Sequence, residues 1–316
     1  MCCTQDKNCK KLKEVIILGN CGRIGNEAFA ECKDLERVVI HGDVDKIGDT
    51  CFFNCKQLKE VKILGKCNGI GELAFTQCGS LLELELQGRL EEIGIRSFEG
   101  CISLRALKIN GDCKTIKNEA FKRCSQLEEL QINGKLETIG NYAFFECTRL
   151  ERISLPEGLT GLHCDAFSRC GLKEIIIPKS IDKLEIGTFN ANKNLERVII
   201  EGDIYCIGGS CFIGCEKLRE VKFLGKCKEI WSLAFKDCKS LKRIILPDGI
   251  EFIKEEAFEG AGLEYIELEG TCGKIERNIV RKCKGFKGIK LAKGMELKKK
   301  EVGRETIFYV EKAEDI

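Results

Sequence analysis

Histidine is almost absent: His41 and His163 are the only two in 316 residues. No two cysteines have the Cys-x-x-Cys spacing. A structural zinc site needs four converging ligands, and the nearest approaches, Cys51 with Cys55 and Cys211 with Cys215, supply two each. No metal site is expected. Excess charge of one sign is also lacking. The 52 basic and 50 acidic side chains leave a net charge of +2, which removes the usual electrostatic reason to propose a nucleic-acid partner. No apolar run is long enough to cross a membrane as a helix. The opening residues, MCCTQDKNCKKLKE, lack the apolar centre of an ordinary secretory signal. Neither histidine stands in a catalytic motif, and neither Gly65-Lys66 nor the stretch from Gly111 to Thr115 has the spacing of a phosphate loop. Catalysis needs acid, base or nucleophile groups that converge. The sequence shows none, so neither an enzyme nor a cofactor is expected.

What fills the chain instead is one unit of 23 residues, repeated about twelve times. The copy from Leu58 to Ser80 reads LKEVKILGKCNGIGELAFTQCGS. Its opening residue recurs at Leu12, Leu35, Leu58, Leu81 and so on to Phe286, and every step is 23 except two of 22, ending at Leu172 and Leu263. The aromatic recurs from Phe29 and Phe52 to Phe258, and an aliphatic ahead of it from Ile24 to Ile275. A fixed period of this length, rich in spaced leucines, marks a solenoid of stacked coils. A longer echo lies inside the array: residues 42–81 and 202–241 share GD, IG, CF, LxEVK, LGKC and LAF at an offset of 160. It reads as internal duplication of several units.

The skeleton L-x-x-V-x-I-x-G-x-(C/V/L)-x-x-I-G-x-x-A-F-x-x-C resembles the BspA-like, or Treponema-type, leucine-rich repeats. Pro156, Pro178 and Pro247, the three prolines of the chain, stand at that family's proline position. The resemblance covers residues 9–294 and implies a leucine-rich-repeat solenoid. It also implies a binding scaffold, many such scaffolds being on cell surfaces, with unrelated partners.

The expected fold follows from the unit. In L-x-x-V-x-I the apolar residues are two apart, a strand signal, so Val15/Ile17, Val38/Ile40 and their successors point inward. Stacked copies make a parallel β-sheet on the concave face with strands about 4.8 Å apart. Twelve spacings give a sheet of about 58 Å. Gly19, Gly42 and Gly65 end the strands and turn the chain. The I-G-x-x-A-F-x-x-C stretch has near-helical spacing and predicts short helical turns on the convex face. The whole is a solenoid of about 12–13 coils over residues 12–294, with an N-terminal cap at 1–11 holding a partial repeat and a C-terminal cap or tail at 295–316.

Cysteine is abundant, at 22 residues, but sits in phase with the repeat. Cys32, Cys55, Cys78 and their successors are one structural position; Cys21, Cys67, Cys113, Cys227 and Cys272 are another, filled by Val, Leu or Ile in other copies. The second is a core position where Cys acts as a small hydrophobe. Parallel Cβ vectors on neighbouring coils suit disulfides poorly, so mostly reduced thiols and a reducing, cytoplasmic setting are expected. Cys2-Cys3 beside Lys7, Lys10, Lys11 and Lys13 has the composition of an acylated polybasic anchor; a frayed terminus is the plainer account.

Two surface features bear on function. The outward residue ahead of the inward aliphatic reads Glu129, Arg152, Glu174, Arg197, Glu220, Arg243 on six successive strands, which predicts a pairing charge ladder. The next outward column is polar at Lys62, Glu85, Lys108 and Gln131, then mostly apolar at Ile176, Ile199, Lys222 and Ile245, with Pro178, Leu224 and Pro247 beyond. A contiguous exposed apolar area often marks a contact site, and solenoids commonly bind on the concave sheet. Ile176, Pro178, Ile199, Leu224, Ile245 and Pro247 are therefore the candidate partner-binding residues; the competing account is that β-branched residues suit strands. A smaller group, Ile16, Leu18, Val39 and Leu64, is expected under the N-terminal lead-in. Trp231 replaces a repeat glycine and is expected at the surface. The reading is a non-catalytic protein-binding scaffold with an unidentified protein partner inside the cell; the alternative is a cell-surface or secreted adhesin.

Overall fold

The computed structural model describes residues 11–302 and 305–312. The chain divides into two compact units, Met1–Cys170 and Gly171–Ile316. Both are built from the same coil, and the chain is a parallel β-solenoid of about 12 coils with about 23 residues per turn.

In the first unit, six parallel strands stack in repeat register: Glu14–Ile17, Arg37–Ile40, Glu60–Lys66, Glu83–Gln87, Ala106–Asn110 and Glu129–Ile132. Val15 lies beside Val38, Val38 beside Val61 and Val61 beside Leu84. These inward residues bury progressively: Val15 is half-buried on the end strand, while Val38 and Leu84 are buried.

A second parallel ladder of seven short strands runs alongside, from Cys21–Ile24 and Val44–Ile47 to Gly161–Leu162. The sequence reading did not foresee it. In Cys21–Ile24 both end residues are buried and Gly22 and Arg23 are exposed, so two apolar side chains three apart share one face. That breaks the period-two alternation by which a strand is recognised.

The second unit repeats the plan with breaks. Its first ladder is split into two sheets of three strands, Glu174–Ile177, Arg197–Ile200, Glu220–Phe223 and Arg243–Leu246, Tyr265–Leu268, Gly288–Leu291. The expected unbroken sheet is thus interrupted between Glu220–Phe223 and Arg243–Leu246. Its second ladder runs from Lys183–Leu184 to Cys272–Ile275 and is continued by an antiparallel hairpin, Glu305–Lys312 then Met295–Val302. Of the expected N-terminal cap, residues 1–10 lie outside the described residues.

The expected helical turns are not there: no helix occurs among the described residues. Glu27 and Glu31 have φ of 55° and 58°, whereas an α-helix needs about −63° throughout. Backbone donors alternate instead. The Ala28 and Cys32 N–H groups bond within the coil, to Gly25 O at 3.3 Å and Phe29 O at 3.2 Å, while Phe29 and Glu31 donate to the next coil, to Cys51 O at 2.8 Å and Phe53 O at 2.7 Å. The stretch is a stack of β-turns, and half its hydrogen bonds hold coil to coil. The Ala, Phe and Cys spacing looks helical because both conformations place these three side chains inward.

Those side chains form the core. Phe52 to Phe167 in the first unit and Phe189 to Phe258 in the second are fully buried. Their rings stack coil on coil, as Phe98 on Phe121 at 5.1 Å and 4° or Phe212 on Phe235 at 5.3 Å and 11°, within the range that favours aromatic pairs. The repeat cysteine has a polar role beyond filling space. The Cys124 thiol donates to Phe98 O at 3.2 Å, Cys147 to Phe121 O at 3.2 Å and Cys238 to Phe212 O at 3.2 Å, so each supplies a second donor to a buried carbonyl. Where Asn192 replaces Cys, its Nδ2 donates to Phe189 O at 2.8 Å.

The corner glycines serve close approach. A Cβ on Gly65 would lie 2.4 Å from Gly42 C, and neither residue has a positive φ. Here the glycine lets two backbones touch without a left-handed φ, whereas Gly88 and Gly111 at the same corner of later coils have φ of 103° and 154°.

Candidate protein-binding surface

The outer column of the second unit's first ladder runs Ile176, Ile199, Lys222 in direct register. Ile176 is 45% exposed and Ile199 half-buried. Beyond the strand end, Leu224 is 56% exposed. Its N–H still makes a rung to Ile200 O at 2.8 Å. Ile245 and Pro247 are half-buried and belong to the other three-stranded sheet, where Ile245 neighbours Glu267 and Glu267 neighbours Lys290. Pro178 is a correction: it is buried. Having no N–H, it cannot make the rung that Leu224 makes, and the chain turns there, with Pro178 O accepting Ile181 N–H at 3.1 Å.

Of the six candidates, then, Ile176, Ile199 and Leu224 share one sheet surface, Ile245 and Pro247 lie across the break, and Pro178 leaves the surface. The break opens as a groove of about 560 Å³ lined by Lys222, Phe223, Lys242, Arg243, Ile245 and Pro247, among others. Phe223 occupies the inward column of Ile177 and Ile200, yet it is half-buried. Ile63 holds the same place in the first unit's duplicated segment. The sequence reading missed the groove; the one available signal was this aromatic at an aliphatic position.

Charge organises the surface in part as expected. Arg197 lies 3.5 Å from Glu174 and 3.1 Å from Glu220. Arg243 meets Glu267 at 3.9 Å rather than Glu220, because the ladder is broken between them. Arg152 lies outside any strand, and no ion pair joins it to Glu129 among the described residues. The same column in the first unit carries a triplet the sequence reading passed over. Arg37 bonds Glu14 at 2.7 Å and Glu60 at 2.6 Å, and hydrogen bonds to Glu60 and Glu14 hold its pKa above the ordinary value. At the N-terminal end Ile16, Leu18 and Leu64 are exposed, but Val39 is buried.

The other chemical groups are quiet. Burial pushes the Cys55, Cys113 and Cys215 thiols up to about 12, which keeps them protonated and poor nucleophiles. Trp231 is 38% exposed, and its indole N–H donates to Glu229 at 2.7 Å while the Tyr205 hydroxyl donates to the other Glu229 oxygen at 3.2 Å. No group of three or more His, Cys, Asp or Glu side chains is placed to hold a metal among the described residues. No described helix is long and apolar enough to cross a membrane.

The sequence matches the BspA type leucine rich repeat region (6 copies) over residues 7–128, 114–240 and 207–302. The chain belongs to this family. No curated protein matches it. Among solved structures, a leucine-rich repeat protein from Bacteroides ovatus ATCC 8483 is 24% identical, with a TM-score of 0.55 over 87% of this chain and 86% of that one. The pneumococcal vaccine antigen PcpA is 20% identical, with a TM-score of 0.51 over 88% of this chain and 78% of that one. A leucine rich cell surface protein from Faecalibacterium prausnitzii A2-165 is 20% identical, with a TM-score of 0.45 over 89% of this chain and 88% of that one. The first two likenesses show a shared fold. In BspA-type terms, Pro178, Leu224 and Pro247 are one repeat position, buried at Pro178, half-buried at Pro247 and exposed at Leu224.

Proposed function

We propose that this BspA-type chain is a non-catalytic protein-interaction module whose second unit takes its partner on the outer face of the first ladder. One observation supports the reading above others: Ile176, Ile199 and Leu224 form an apolar surface on a sheet face that other coils cover with Lys62, Glu85 and Lys108. Exposed apolar area of this kind is costly to keep without a contact to make. The test is Ile176→Glu with Ile199→Glu in the folded protein. An unchanged melting temperature with loss of captured partners supports the surface. Unchanged capture sinks it.

The setting of that contact is a separate matter. The cysteines give no support to a cytoplasmic location. Thiols such as Cys124 and Cys147 are buried and hydrogen-bonded, so their reduced state follows from geometry in any compartment. The adhesin alternative has a fold neighbour described as a vaccine antigen, which at 20% identity carries fold only. Protease shaving of intact source cells separates the two: loss of the protein places it outside.

A further inference from the structure

The groove at the break has a counterpart. In the first unit a depression of about 870 Å³ opens between Glu60–Lys66 and Glu83–Gln87, where the strand register shifts after Lys62. Moving its lining by the 160-residue offset gives the second groove: Glu60 becomes Glu220, Val61 becomes Val221, Lys62 becomes Lys222 and Ile63 becomes Phe223. The duplicated segments therefore open at the same boundary between coils. One wall is kept. The other is rewritten, from Leu82, Glu83, Glu85 and Gln87 to Lys242, Arg243, Ile245 and Pro247.

The rewriting changes the chemistry. In the first groove Lys62 pairs with Glu60, and Lys59 with Glu36 at 2.9 Å. In the second, Glu220 is turned toward Arg197, and no ion pair engages Lys222 or Lys242 among the described residues. Arg243 has only Glu267, at 3.9 Å. Between these cations lie Phe223, Ile245 and Pro247. We propose that the second groove binds an extended acidic peptide segment whose apolar side chains enter beside Phe223 and Ile245 and whose carboxylates meet Lys222, Lys242 and Arg243. Its volume is within the range that holds small ligands and peptide side chains. Alternation of acidic and apolar residues in an extended segment matches the alternation of the wall. A chain charge of only +2 lacks the extended basic surface that a phosphate polymer needs, whereas a short acidic segment needs only the local cations.

This inference rests on the proposed partner surface and is tested apart from it. The probe is a fluorescein-labelled peptide of four Glu-Leu repeats, measured by anisotropy with the full chain. Saturable binding is expected, weakening as salt rises and falling at least tenfold with Lys222→Glu plus Lys242→Glu. Lys59→Glu plus Lys62→Glu, the matching change in the first groove, should leave it unaltered. The inference is overturned by no saturable binding, by equal binding of four Lys-Leu repeats, by equal or tighter binding of octaglutamate or a decathymidylate, or by equal loss in both lysine variants. If natural partners are lost with Ile176→Glu plus Ile199→Glu but retained with Lys222→Glu plus Lys242→Glu, the surface stands and the acidic segment falls.

Discussion

A residue in this solenoid is defined by its column. Phe121 lies between Phe98 at 5.1 Å and Phe144 at 5.2 Å and is fully buried. Phe29 has Phe52 on one side at 5.3 Å and is half-buried. Phe121→Ala should cost about 3–5 kcal/mol through the cavity left between two rings, and Phe29→Ala less, measured as shifts of the denaturant midpoint. Equal shifts would contradict the column account. The left-handed turn positions offer a gain instead. Thr50 holds φ of 53°, a conformation unfavourable for a branched residue. Asn278 fills the same place in a later coil with φ of 59°, and asparagine tolerates it better. Thr50→Asn should raise stability by about 0.5–1 kcal/mol, read from the same midpoint; a loss would show that the Thr50 side chain holds something the backbone account omits.

At the scale of the element, the sequence displayed some parts and hid others for physical reasons. The first ladder was legible because Val61 and Ile63, or Leu84 and Leu86, alternate with polar residues. The second was hidden because Cys21 and Ile24 bury on one face three residues apart. The turn stack was mistaken for helix because inward spacing does not report the sign of φ. Of the candidate surface, Ile176 and Leu224 followed from strand alternation, whereas Pro178 failed once the rung was lost. The groove was hidden because a ladder break is set by packing between coils, which no local pattern reports. That dependence is testable. Phe223→Ile restores the residue found at Ile63 and should let Glu220–Phe223 pair with Arg243–Leu246, since a side chain too large for its column displaces backbone. Slower amide exchange at Arg243 and Ile245 is the expected result. Unchanged exchange would assign the break to something other than the aromatic ring.

Across the whole chain, stability should grade from ends to middle, because in a stacked array each coil is held by its neighbours and an end coil has one. The phased thiols are built-in reporters of that gradient. Cys124 and Cys147 are fully buried, their thiols donating to Phe98 O and Phe121 O, and burial raises their pKa values above the ordinary thiol range. Cys283 occupies the same repeat position near the C-terminal end and donates to Phe258 O at 3.0 Å, yet it is only half-buried. Reaction with a thiol reagent needs the thiolate and access, so each site can react only as fast as its coil opens. Pulsed alkylation followed by peptide mass mapping should therefore label Cys283 well before Cys124 and Cys147. Subdenaturing guanidinium should narrow the interval as the array approaches cooperative unfolding. If Cys124 is labelled as early as Cys283 in native buffer, the middle coils open as readily as the end, and nearest-neighbour stacking is not what sets the stability of this solenoid.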